Sequence, residues 1–85
     1  MAVTAVASST ASATLLAPNS SRKGFVIENS DANRLHVRLG SSAATTTSYS
    51  LSLAQNEVVS LQGYTGAITG IWAADGTGSA HITEY

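Results

Sequence analysis

The chain has 85 residues, no cysteine, and four basic against five acidic side chains, for a net charge of −1. That length supports one domain whose core is near the lower limit of independent stability. The missing thiols exclude disulfides, thiolate metal sites and a cysteine nucleophile, and so few charges exclude a nucleic-acid surface, which needs clustered Lys and Arg.

Residues 1–10 are small and uncharged and offer no large side chain to anchor a core; they read as an extended N-terminal arm or edge strand ahead of a single domain over 11–85. Residues 12–17 alternate weakly and bring Leu15 and Leu16, a first strand with core-sized groups. Pro18-Asn19-Ser20-Ser21 is a turn, with proline fixing φ and the Asn and Ser side chains able to bond local backbone. Residues 24–29 form a second strand, closed by the turn cluster 29–33. Residues 35–39 alternate cleanly: Leu35, Val37 and Leu39 share one face, His36 and Arg38 the other. Gly40 ends that strand, and the hydroxyl-rich stretch 41–47 reads as a mobile loop. Tyr49, Leu51 and Leu53 alternate with serines, residues 54–56 turn the chain into a strand over 57–61, and 62–66 reverse it again. Residues 67–73 and 79–85 flank Asp75-Gly76-Thr77-Gly78 and read as a β-hairpin, with glycine supplying positive φ at the reversal.

Seven or eight short strands with turn signals every 8–12 residues predict an all-β domain, a compact antiparallel β-sandwich, jelly-roll-like or a flattened barrel. Charged residues are 11% of the chain, against about a quarter in ordinary soluble domains, and thirteen Ser and ten Thr carry the polarity instead. A surface this poor in charge is weakly guarded against association, and self-association would add stability to a small core. No apolar run is long enough to span a membrane as a helix. The opening residues lack the basic head and continuous apolar stretch of an export signal, so the chain is expected to fold in the cytoplasm where it is made.

Nothing in the sequence is arranged for chemistry. His36 and His81 both lie opposite the apolar positions of their strands, and without a third imidazole they do not make a metal site; solvated or interface histidines are expected. No serine sits in a nucleophile-elbow context. Asp31 and Asp75 occupy turns, where Asp bonds backbone, and the Gly76-Thr77-Gly78 stretch has no following helix or lysine to make a phosphate cradle. The expectation is a non-enzyme without metal or cofactor. The candidate functional residues are therefore surface groups. Val3, Thr4 and Val6 suit strand addition, in which the arm reaches a neighbouring subunit. The dibasic pair Arg22-Lys23 reads as a solvated strand entrance or a docking charge. Tyr64 and Trp72 are the large amphipathic aromatics; Trp72 shares a face with Gly70 and Ala74, and core packing and an interface role both remain open for it.

Three blocks stand out together: Arg22-Lys23-Gly24 running through Ile27 to Asn29, Leu35-His36-Val37-Arg38-Leu39-Gly40, and Gly63-Tyr64-Thr65-Gly66 running through Gly70-Ile71-Trp72 to Glu84. From about Leu15 onward the chain resembles a group of small proteins of tailed bacteriophages and prophages. They share an R-K-G-x-x-I-x-N strand, an L-x-V-x-L-G strand and a G-Y-T-G-x-I-x-G-I-W close. The resemblance implies a virion component, a capsid decoration or cement protein bound to the outer surface of the major capsid protein shell. It also implies a homotrimer at local three-fold positions. From another class, a fibre or accessory module would bind host-surface carbohydrate, with Tyr64 and Trp72 stacking on sugar rings and Asp75 and Thr77 bonding hydroxyls.

Overall fold

Strand alternation in this chain is paired with short polar connections, and the result is two stacked sheets. The computed structural model describes residues 2–85, which form eight strands and, among the described residues, no helix. In chain order they are β1 (Ala2–Ala7), β2 (Ala13–Leu16), β3 (Gly24–Asn29), β4 (Leu35–Leu39), β5 (Leu51–Leu53), β6 (Val58–Gln62), β7 (Ile68–Trp72) and β8 (Ser79–Glu84). Sheet A has the order β1-β8-β3-β6 and sheet B the order β2-β7-β4-β5. Every neighbouring pair is antiparallel. The pairs β1·β8, β2·β7, β3·β6 and β4·β5 are those of one long hairpin wound over itself, which is the jelly-roll connectivity.

The inner faces meet in one core. Phe25 and Ile27 of β3, Ala80 and Ile82 of β8, Leu35 and Val37 of β4, and Ile68 and Trp72 of β7 are all buried in it. Each large side chain contributes about 1.5–3 kcal/mol by leaving water. The register of β2 on β7 shifts between Thr14 and Leu16. This bulge turns both Leu15 and Leu16 inward, where strict alternation would have exposed one of them. From the bulge, Leu15 reaches the space where a side chain at Gly70 would begin, with its Cδ1 2.8 Å from that position.

The C-terminal stretch is not a hairpin. β7 pairs with β2 and β4, whereas β8 pairs with β1 and β3, so residues 73–78 carry the chain from sheet B to sheet A. Alternation identifies a strand but not its partner, and both strands here are central and already bonded on each side. Positive φ is found at Gly40 and Gly63 but not at Gly76 or Gly78. Gly78 is instead required by contact. A Cβ there would stand 2.5 Å from Asp31 Cα and 2.7 Å from Asp31 N, backbone atoms that cannot move aside.

Residues 2–10 do not reach out of the domain. Residues 2–7 are the edge strand β1 of sheet A, in unbroken register with β8. The next three are tied to the end of β7 and the crossing loop: Ser8 N donates to Gly78 O, Trp72 N to Ser9 O, and Thr10 N to Asp75 Oδ1. The 1–10 arm and 11–85 domain are therefore one unit over the described residues; Met1 lies outside them. A sequence of small residues carries no core signal, but main-chain pairing asks for none.

The 41–47 loop is likewise anchored. Together with residues 48–50 it folds over the outer face of sheet B. Thr69 Oγ1 donates to Ser42 O, Arg38 Nη1 to Ser48 Oγ and Leu39 N to Ser50 Oγ, and Ala44 is only 1% exposed.

Candidate functional site

Two of the sequence candidates are structural. Arg22 is buried, and its guanidinium makes four hydrogen bonds: Nε to Glu84 Oε2 at 2.7 Å, Nη1 to the carbonyls of Tyr64 and Gly66, and Nη2 to that of Ala17. It is neither a solvated entrance nor a docking charge. The adjacent Lys23 is exposed. A residue just ahead of a strand can point either way, and the fork geometry of Arg suits three converging carbonyls and a carboxylate.

Trp72 is 1% exposed and belongs to the core. Its Nε1 donates to Asn29 Oδ1 at 3.1 Å. Tyr64 is half-buried against the core, and its hydroxyl donates to Ala67 O. These two aromatics therefore do not form the stacking platform that sugar binding required of them. Asp75 and Thr77 are exposed in the crossing loop, with Asp75 already accepting from Thr10 N.

The histidines separate. His81 is exposed, but His36 is only 8% exposed and is not solvated, because Tyr49 packs edge-on against its ring with centroids 4.7 Å apart. The alternation placed His36 on the outer face correctly; the loop that covers this face had no apolar signal to reveal it. Among the described residues no group of three or more metal-ligating side chains converges, and no pocket is present.

Sequence reading missed the polar centre at the β3–β4 turn. Asn29, fully buried, uses its whole amide: Nδ2 donates to the carbonyls of Asn33 and Leu53, and Oδ1 accepts from Trp72 Nε1 and Asp31 N. Next to it the Asp31 carboxylate accepts from Asn33 N at 2.7 Å and Gly78 N at 2.9 Å. The Asn33 N–H is the largest influence holding its pKa below the ordinary 3.8. Burial opposes that shift, and the Gly78 N–H, the Asn33 amide and the Ser8 hydroxyl add to it. A folded pKa below the unfolded one contributes stability that is fully present above pH 3.8 and is lost as pH falls through the folded value. Asp31→Asn should therefore unfold more easily than the parent at about pH 7, with the gap in melting temperature narrowing toward about pH 2. An unchanged gap across that series would remove the carboxylate from the acid response.

The remaining surface is unequal on its two sides. Directly opposed residues share a face of a sheet, so the registers place Val3, Ala5 and Ala7 of β1, Ser79, His81 and Thr83 of β8, Val26 and Glu28 of β3, and Val58, Ser60 and Gln62 of β6 on the outer face of sheet A. Glu28 and His81 sit opposite each other on that face, and Tyr85, paired with Gly24, lays its side chain across Gly24 toward Gln62 on the same side. Val3 is 70% exposed and Val58 56%. No loop of the described residues is hydrogen-bonded over this face, in contrast to sheet B. Thr4 and Val6 point the other way: Thr4 is exposed at the edge and Val6 packs against the core.

No family model, curated protein or solved structure matches the chain. The functional reading therefore rests on this surface and on the motif resemblance.

Proposed function

We propose that this protein is a structural component of a tailed-phage virion, a decoration or cement protein that lays the outer face of sheet A on the shell of the major capsid protein. The observation that carries the reading is the inequality of the two faces. One is partly covered by residues 41–50, which hydrogen-bond to it, and the other is four strands wide, crossed only by the Tyr85 side chain at one end and almost without charge. Singly exposed apolar residues are ordinary, but a broad face that mixes Val, Ala, Ser and Thr with one carboxylate, one imidazole and the phenol of Tyr85 suits docking on a large rigid surface. The three motif blocks support the same reading. In it the protein acts by binding, without catalysis or cofactor, at the capsid surface after synthesis in the host cytoplasm.

Co-sedimentation with undecorated heads of the phage or prophage that encodes the protein tests the proposal. Saturable pelleting with heads, absent without them, is expected. Failure to pellet with both unexpanded and expanded heads would contradict it.

A further inference from the structure

The edges of the two sheets are unequal in a second way. An open strand edge offers unpaired N–H and C=O groups, and stable domains blunt it by shortening, bulges, proline or charge. Sheet B ends on β5, three residues long, and on β2, which is bulged. In sheet A, the other edge strand β6 is five residues long and is entered directly from the charged and exposed Glu57. β1 has none of these devices. It is six residues long, in continuous register, without proline, and no charged residue precedes Arg22.

The hydrogen-bond phase of β1 defines what that edge displays. Ser8 N donates to Gly78 O one rung beyond the Ala7–Ser79 pair, so Ser8 and Gly78 are a hydrogen-bonded pair. Bonded and non-bonded pairs alternate along an antiparallel ladder. Val6 and Thr4 therefore turn their backbone groups toward β8, and Val3, Ala5 and Ala7 turn theirs to the free edge.

We propose that a second copy of this chain covers that edge, its own β1 pairing antiparallel with the first about a two-fold axis at Ala5. This register sets Ala5 opposite Ala5 of the other copy and Val3 opposite Ala7. Every outward amide and carbonyl of both strands is then used, in about six hydrogen bonds. Two β1 strands bring no charge to the contact, so nothing repels at this register, and a two-fold pairing closes on itself where a head-to-tail one could propagate. The two sheet A faces become one continuous surface. The inference stands apart from the shell reading, since it concerns the protein in solution.

Proline at Ala5 tests it, because the N–H that proline removes is not bonded to β8, and edge strands tolerate proline in that orientation. Sedimentation equilibrium over a concentration series should show the parent protein in monomer–dimer exchange. Ala5→Pro should associate at least about tenfold more weakly while keeping the parent's circular dichroism. Should Ala5→Pro unfold, charge variants decide: Ala5→Lys and Ala5→Glu should each dimerise more weakly than the parent, and an equimolar mixture should recover association. A parent that stays monomeric, a parent that forms trimers, an Ala5→Pro protein that is folded and associates as the parent does, or a mixture no better than its components would each overturn the proposal.

Discussion

Asn29→Leu is expected to destabilise the domain by about 3 kcal/mol or more, lowering the melting temperature by roughly 12–24 °C. Leucine has the branching of asparagine, with somewhat larger terminal groups, but takes the amide away from four buried or half-buried groups: Trp72 Nε1, Asp31 N, and the carbonyls of Asn33 and Leu53. Each such group costs about 1–3 kcal/mol when its bond is lost and water cannot replace it. For a domain of this size, total stability is only about 4–13 kcal/mol, so the variant should be partly unfolded at physiological temperature. Trp72→Phe removes one of the orphaned donors. The double variant should therefore cost about 1 kcal/mol less than the sum of the two single changes, measured by urea denaturation. Additive costs would mean that the Asn29–Trp72 bond contributes nothing.

Arg22→Met should cost about 3 kcal/mol. The arginine side chain is fully buried and that of Glu84 is 19% exposed. Removing the cation strands a carboxylate with little water, together with the carbonyls of Ala17, Tyr64 and Gly66. Lysine at this position keeps the charge but cannot span a carboxylate and three carbonyls, so Arg22→Lys should recover less than half of the loss. Pairing Arg22→Met with Glu84→Leu should be milder than Arg22→Met alone, because no buried charge is left unpaired. Thermal melts of the four proteins decide; an Arg22→Met protein as stable as the parent would show that this node is not needed to hold the strand ends together.

Both nodes show where a sequence stops being legible. Strands β3 and β4 were readable to the residue, because Leu35, Val37 and Leu39 alternate against His36 and Arg38 and glycine or a turn cluster bounds each strand. The pairing of strands was not. The 67–85 stretch has the composition of a hairpin, yet its two halves belong to different sheets, and only the partners β4 and β3 reveal it. Polar residues were harder still. Asn29 looked like the end of a strand and Arg22 like its solvated beginning, since burial of a polar group depends on partners that arrive from 24 to 62 residues away. Trp72 carried two readings, and the small residues in phase with it agree with the core. The bare face of sheet A was implicit in the pattern of Val, Ala, Ser and Thr, but recognising it required knowing that the covering loop lies on the other sheet.

Head binding by face-directed variants tests the central claim most directly. Val26 of β3 lies at the middle of the outer face of sheet A, opposite Thr83 and Ser60. Thr14 is exposed on the outer face of sheet B, opposite Thr69. In co-sedimentation with undecorated heads, Val26→Glu should bind at least about tenfold more weakly than the parent, an unpaired carboxylate in a docked face costing more than about 1.4 kcal/mol. Thr14→Glu should bind as the parent does. Equal binding by Val26→Glu and the parent, with Thr14→Glu impaired, would place the contact on the opposite face and contradict the account.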